Sequence, residues 1–427
     1  MINSTNRSGL TLPPTAGLTT DSPLLGPRYS IVAWLALVPV LLPPRELHID
    51  AGVNFTPGRI CVIVLLIPAL VNLLFSGQRT SWADFFALAT AVWIPVAAMF
   101  SKGTDALFTA AGGESLEFLG AYMVGRAFLW HPAALRNFLN VLKFVIIVLF
   151  FCALADRISG QWIIENSLAS FVNIVPAGAN YREGVVRATA TLDHPILLGA
   201  FFALASALFI YSNMSTLSRA FFLLVCLFGS YLSLSSVSLM VWCMILGVYL
   251  YDQFLSAVSR RWTLFWGATF MFICLIVATT NAPLGWIITH MTWDPESGYF
   301  RYLIWNAALE RIHESPYIGF AFSPLNDDIL DTTIDSVWLA SALRFGVPMI
   351  VWLFLTNLAA IWPTRKIRPD LDDAAFLKRM NTGFAVMLLM FMFIGLTVHF
   401  WNYMWVYWAL CLGIKTSLRQ NLAGNKG

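Results

Sequence analysis

Charge is what this sequence has least of. Only 11% of its 427 residues are Asp, Glu, Lys or Arg, against roughly a quarter in soluble domains. With 58% hydrophobic residues and a mean hydropathy of +0.71, most of the chain has a solvent other than water. Cysteine offers little either. Cys61, Cys152, Cys226, Cys243, Cys274 and Cys411 all lie in apolar runs and none forms a CxxC, which argues against a disulfide framework or a zinc site. The net charge is +3 and the basic residues are scattered, so no nucleic-acid surface is indicated. No internal repeat is visible, which leaves an inverted-repeat transporter without direct support. Residues 1–28 lack an apolar core and are rich in Ser, Thr, Pro and Gly. They read as a disordered cytoplasmic tail rather than a cleaved signal peptide.

What the chain does have is long apolar runs, near residues 29–43, 59–75, 83–100, 106–130, 138–155, 195–212, 217–234, 238–254, 263–280, 337–361, 383–400 and 402–418. Most approach the ~20 residues that a helix needs to cross ~30 Å of hydrocarbon. Open sheet is excluded there, because backbone polar groups cannot be left unpaired in lipid. The expected fold is therefore all-α: a polytopic transmembrane bundle of about 12 helices over residues 29–418, with 419–427 as a second cytoplasmic tail.

Lys and Arg set the expected orientation. With the N-terminus cytoplasmic, the inside segments hold fifteen basic residues and the outside segments eight, the cluster from Arg365 to Arg379 contributing most. Both termini are then cytoplasmic. Two outward segments are long, 156–194 and 281–335, and long loops in a compact bundle are usually functional. In the second, Phe300, Leu303, Ile304, Ala307, Ala308 and Ile312 recur at helical spacing. Asp294, Glu296 and Ser297 precede them and Ser315-Pro316 follows, so a helix over 299–314 is expected on the outer face before the tenth span.

Several charged residues are candidates for chemistry, each with a plainer reading beside it. Arg301 falls in the first turn of that helix, where a cation opposes the dipole. It serves an anionic ligand there, or simply pairs with Asp294 or Glu296. Arg187, in RATATLDHP (187–195), suits a phosphate with its fork of donors, or snorkels to headgroups. Asp193 and His194 precede Pro195 at a helix start, where Asp193 is the expected cap. Asp335 opens the tenth span and is itself a natural N-cap. Asp327, Asp331 and Asp335 share one face if helical, a weak cation pattern and more often a solvated acidic face. Arg126 in GAYMVGRAFLW (120–130), with Glu114 and Glu117 before it, is deep in apolar sequence and faces a cavity or a bundle partner.

Together these parts resemble the O-antigen ligase and O-antigen or exopolysaccharide polymerase family of bacterial envelope enzymes. The segment FRYLIWNAALERIHESPYIGFAF (300–322) is similar to that family's outer-loop signature. Asp335-Ser336, nine residues and Gly346 match the spacing of its His-Asn, nine residues, Gly pattern, and RATATLDHP is similar to its Arg-containing middle segment. The likeness covers roughly residues 115 to 415. The chain departs from it at Asp335, where ligases have His, at Ser336 for an amide, and at Trp338 for Tyr, which shifts the reading toward a polymerase.

The resemblance implies glycan transfer from undecaprenyl diphosphate at the periplasmic face of the bacterial inner membrane, without metal or cofactor. The acceptor is a glycan or lipid, and other polysaccharide assembly proteins are implied partners. Asp335 is then the base and Arg187 and Arg301 hold the diphosphate, with Arg126, Asp193, His194, Trp305 and Trp338 as expected substrate-binding residues. A free Asp, of pKa ~3.9 against ~6.5 for His, is a weaker base. Asp335 instead only orients the acceptor hydroxyl in a second version of that reading. A ligase that transfers finished glycan to lipid A core, and a polysaccharide transporter or flippase, stand as the alternatives.

Overall fold

The computed structural model describes residues 25–50, 54–76, 78–101, 105–176, 178–281, 283–290, 295–363 and 373–423. Asp294, most of the tail 1–28, residues 424–427 and three of the inside cations, Arg365, Lys366 and Arg368, lie outside them. Every one of the twelve apolar runs is helical over most of its length. In order, the helices are α1 (Leu25–Leu37), α2 (Pro57–Phe75), α3 (Trp82–Phe100), α4 (Asp105–Phe128), α5 (Pro132–Ser159), α6 (Ile163–Phe171), α7 (Pro195–Tyr211) and α8 (Thr216–Leu232). There follow α9 (Ser236–Phe254), α10 (Arg261–Thr279), α11 (Pro283–His290), α12 (Pro295–Glu314), α13 (Val337–Ile361), α14 (Ala374–Ile394) and α15 (Asn402–Leu422). Two short hairpins, β1 (Ile49–Asp50) with β2 (Asn54–Phe55) and β3 (Tyr181–Arg182) with β4 (Val185–Val186), cap one end of the bundle.

The chain is an all-α membrane protein: among the described residues seven helices are long and apolar enough to cross a bilayer. Their surfaces fit that solvent. In α10 only Ile276 is buried, while Phe270, Met271, Phe272, Leu275 and Val277 all face outward. α15 is the opposite case and is buried along nearly its whole length against α4. The approach is close enough that a Cβ on Gly413 would stand 2.0 Å from the Tyr122 carbonyl, and one on Gly125 would stand 2.2 Å from that of Leu410.

Boundaries move in three places. α1 begins at Leu25, inside the expected tail, and α15 continues to Leu422, past its expected end at 418. The run 383–400 stops being helical at Ile394, where the carbonyls of Gly395, Leu396 and Val398 turn to other elements. Gly395 O and Val398 O accept from Val337 N at 3.1 and 3.0 Å, and Leu396 O accepts from Trp305 Nε1 at 3.1 Å. Those bonds replace a helical ladder while keeping the buried backbone satisfied.

Candidate functional site

The first wall of the site is the segment after α5. Asp156, buried at the end of α5, accepts from the backbone N–H groups of Ile163 (3.0 Å), Thr189 (3.2 Å) and Ala190 (2.9 Å). One carboxylate thereby ties both ends of this segment together. The β3–β4 hairpin turns at Glu183-Gly184 and delivers Arg187 immediately after β4. Arg187 N donates to Asn180 O at 2.8 Å and Arg187 O accepts from Trp162 Nε1 at 2.8 Å, so its backbone is held from both sides. The turn between α8 and α9 aims the side chains: Arg187 Nε donates to Ser233 O at 3.1 Å and Arg182 Nη1 to Leu234 O at 3.1 Å.

The second wall is α12 packed on α13. Ile304, Ala308 and Ile312, spaced by four, are buried against Leu339, Ala342 and Leu343. The buried stripe differs from the expected one. Phe300 is 42% exposed, whereas Arg301, three residues before Ile304, lies on the inner face at 7%. α12 also starts at Pro295, so Arg301 sits in the second turn and the helix-dipole reason for it falls away.

α13 is set by its two ends. Ser336, not Asp335, is its N-cap: the Ser336 hydroxyl accepts from Leu339 N at 3.3 Å and donates to Gly395 O at 2.9 Å. Farther along, Gly346 at φ +76° breaks the helix, and a Cβ there would lie 2.2 Å from Tyr317 O. The break frees carbonyls that the loop after α12 uses. Leu343 O and Arg344 O accept from Phe320 N (2.7 Å) and Ala321 N (2.8 Å), and Val347 N donates to Pro316 O (2.7 Å). Gly346, with nine residues between it and Ser336, is thus the hinge that docks the outer loop.

Between these walls lies a polar cavity of about 350 Å³ lined by Arg182, Arg187, His194, Arg301, Thr333 and Asp335, with Tyr181, Ser235, Ser236 and Ser297 at its edges. Arg187, Arg301 and Asp335, 148 residues apart along the chain from first to last, face one space. Relieved of capping, Asp335 accepts from the Thr333 hydroxyl at 2.7 Å. Three guanidiniums share the cavity with this single carboxylate. Burial, and then the neighbouring Arg182 and Arg301, pull the Arg187 pKa down to about 10, so it stays charged at neutral pH. Burial, and then Arg187, likewise hold the His194 pKa down to about 4, which leaves that ring neutral. The arrangement can bind an anion of more than one charge and offers one carboxylate oxygen to a hydroxyl proton.

The other expected residues are placed elsewhere. His194 lines the cavity and caps α7, its Nδ1 accepting from Ile196 N at 3.2 Å; it takes the role expected of Asp193. Asp193 turns away to accept from Asn402 Nδ2 at 3.0 Å, and burial pushes its pKa up to about 6. Trp305 and Trp338 do not line the cavity. Their indoles donate to Leu396 O and Met392 O, which clamps α12 and α13 onto residues 392–396. Arg126 belongs to the other end of α4. It is 3% exposed, paired with Asp84 at 2.8 Å and bonded to Gln78, Ser417 and Arg79 O. Asp327 and Asp331 lie in turns whose backbone N–H groups they accept, so they share no helical face with Asp335. Among the described residues no group of His, Cys, Asp and Glu is placed to hold a metal ion.

Sequence reasoning missed Arg182 and Asp156. The signal for Arg182 was the short Val-rich stretch around Glu183-Gly184, a hairpin pattern that puts Arg182 beside the turn and Arg187 at the foot, opposite Asn180. Asp156 left no signal, since its partners lie up to 34 residues away. No protein-family model matches the chain, and no curated protein shows significant similarity to it.

Proposed function

We propose that this chain is a membrane-embedded glycosyltransferase that joins undecaprenyl-diphosphate-linked glycans at the periplasmic face of the bacterial inner membrane, polymerising O-antigen or exopolysaccharide repeat units. The observation that carries the reading is the gathering of Arg182, Arg187 and Arg301 around Asp335 in one cavity. In this reading the bundle has about twelve spans and two cytoplasmic ends, and the cavity opens outward.

The acceptor hydroxyl attacks the anomeric carbon, a new C–O bond forms, and the sugar–diphosphate bond breaks with its electron pair on the departing lipid diphosphate. Arg187 and Arg301 stabilise that developing charge, and Asp335 accepts the hydroxyl proton. Fixed cations in a partly dry site need no reorganisation as charge develops, and each such donor typically supplies 10²–10³-fold in rate. Proton removal by a positioned base supplies about 10²–10⁴-fold. Neutral His194 fits a role in hydrogen bonding, not in charge stabilisation.

The departure at Asp335 favours polymerase over ligase, because the ligase pattern has His there. The test is single replacement of Arg187, Arg301 and Asp335 by Ala, following polymer length and lipid-linked repeat units. Loss of polymer with accumulated single repeats supports polymerisation, and accumulated long lipid-linked chains would instead point to ligation. Normal polymer in all three at matched protein levels removes the proposed site.

A further inference from the structure

A second cavity, larger than the first at about 480 Å³, opens at the same end of the bundle, and no step of the reaction above uses it. Its chemistry differs. Arg59 Nε donates to Glu117 Oε1 at 2.9 Å, and Arg344 reaches Glu114 Oε2 at 3.7 Å. With Asp50 also lining it, two guanidiniums face three carboxylates, so it holds no surplus positive charge for a phosphate. Its walls are aromatic: Trp401, Trp405, Phe322 and Phe400. His399, 7% exposed, stands edge-on to Trp401 with ring centroids 5.1 Å apart, and its Nδ1 is buried without a hydrogen-bond partner. A buried ring nitrogen in that state is an atom a ligand would satisfy.

Carboxylate acceptors, guanidinium donors and indole faces together suit a neutral molecule with many hydroxyls and an apolar ring face. The position fits as well. Trp401 lies 5.9 Å from the ring of His194, which lines the cationic cavity, and Asn402 donates to Asp193 beside it. Residues 399–402 are therefore the partition between the two spaces.

We propose that this second cavity binds the acceptor saccharide, beside the cationic cavity that receives the diphosphate. The choice of a saccharide rests on the glycan-joining reading, while the existence of a neutral-ligand site rests on the cavity itself.

The test uses the purified full chain in detergent with two kinds of probe. Maltotriose, cellotriose and chitotriose are followed by saturation-transfer NMR, and inorganic pyrophosphate by ³¹P line broadening. The wild type is expected to transfer saturation to ring protons of at least one trisaccharide. Ala110→Trp fills the cavity without removing a charge, and His399→Leu removes its unpartnered nitrogen. Each is expected to weaken that trisaccharide at least about tenfold while leaving pyrophosphate broadening intact, which also shows that the variant is folded. Should Ala110→Trp fail to fold, His399→Leu carries the comparison. Arg187→Ala is expected to do the reverse. No transfer to any trisaccharide in the wild type, or undiminished transfer in the folded variants, overturns the proposal. Absent pyrophosphate binding with trisaccharide transfer intact would remove the cationic-site reading and leave this one supported.

Discussion

Arg126 and Arg187 are both arginines within or beside apolar sequence, and the fold treats them in opposite ways. Arg126 meets a carboxylate, two side-chain amides, a hydroxyl and a backbone carbonyl, all supplied by the protein. Arg187 is held by neutral oxygens, Ser233 O at 3.1 Å and Asn180 Oδ1 at 3.5 Å, and faces two further arginines across a cavity. At one end of the bundle one guanidinium is surrounded by a carboxylate and neutral oxygens; at the other, three guanidiniums line an open space together with one carboxylate. The second arrangement has cations in excess around a cavity and so suits an anionic ligand, which the first has no room for.

Replacing both arginines by Ala should therefore break different properties, and the largest effect is expected at Arg126. Arg126→Ala leaves Asp84 without its cation in a largely enclosed place, a change worth about 3–5 kcal/mol for a buried pair. Thermal unfolding in detergent should fall sharply, and the partner-matched double variant Asp84→Asn with Arg126→Met should recover part of the loss. If Arg126→Ala instead melts like wild type and loses transfer activity, the comparison is inverted.

Arg187→Ala and Arg301→Ala are expected to lower turnover by about 10²–10³-fold each, equivalent to about 2.7–4 kcal/mol of transition-state stabilisation. The melting temperature of Arg187→Ala should stay near wild type. Turnover of lipid-linked repeat units against melting temperature, measured on the same preparations, separates the two ends of the bundle.

Gly346→Ala tests the scaffold behind the second wall. A Cβ at φ +76° and 2.2 Å from Tyr317 O forces the loop off α13, with backbone strain alone of order 1–3 kcal/mol. Amide exchange should rise first at Phe320, Ala321 and Val347, whose bonds depend on that break.

The most local effect concerns pH. Burial, and then the nearby Glu46 charge, raise the pKa of Glu165 in α6 to about 8 from 4.5. A carboxyl whose folded pKa is raised contributes fully below its unfolded pKa, and the contribution is lost as pH rises through the folded value. The first wall should therefore loosen between about pH 5 and pH 8, which amide exchange at Ala188 to Leu192 can follow. Glu165→Gln, which mimics the protonated acid, should flatten that dependence.

How much of this the sequence disclosed depends on how far apart the interacting groups lie. The twelve apolar runs were legible because length and composition alone determine them, and the helix over 299–314 because its apolar spacing is local, although it starts earlier, at Pro295. Which helix face turns inward was not legible: Phe300 and Arg301 are adjacent, and only the packing of Ile304 and Ala308 on α13 selects Arg301. At Asp335-Ser336 both residues are good caps. Ser336 takes the position because its hydroxyl also reaches Gly395 O, 59 residues on, which releases Asp335 to the cavity. The same distance effect hid the fate of Arg126, whose partner Asp84 lies 42 residues earlier. Arg187, Arg301 and Asp335 were each visible as charges out of place, but nothing local showed that they share a space.

That shared space is the central claim, and a cryo-EM structure of the full chain with undecaprenyl diphosphate tests it most directly. The diphosphate is expected in the cavity between α12 and the β3–β4 hairpin, within hydrogen-bond distance of Arg187 and Arg301, with Asp335 facing the place of the transferred sugar. A headgroup bound at the Arg59–Glu117 cavity or at the Arg126 end, with the cationic cavity vacant, would contradict it.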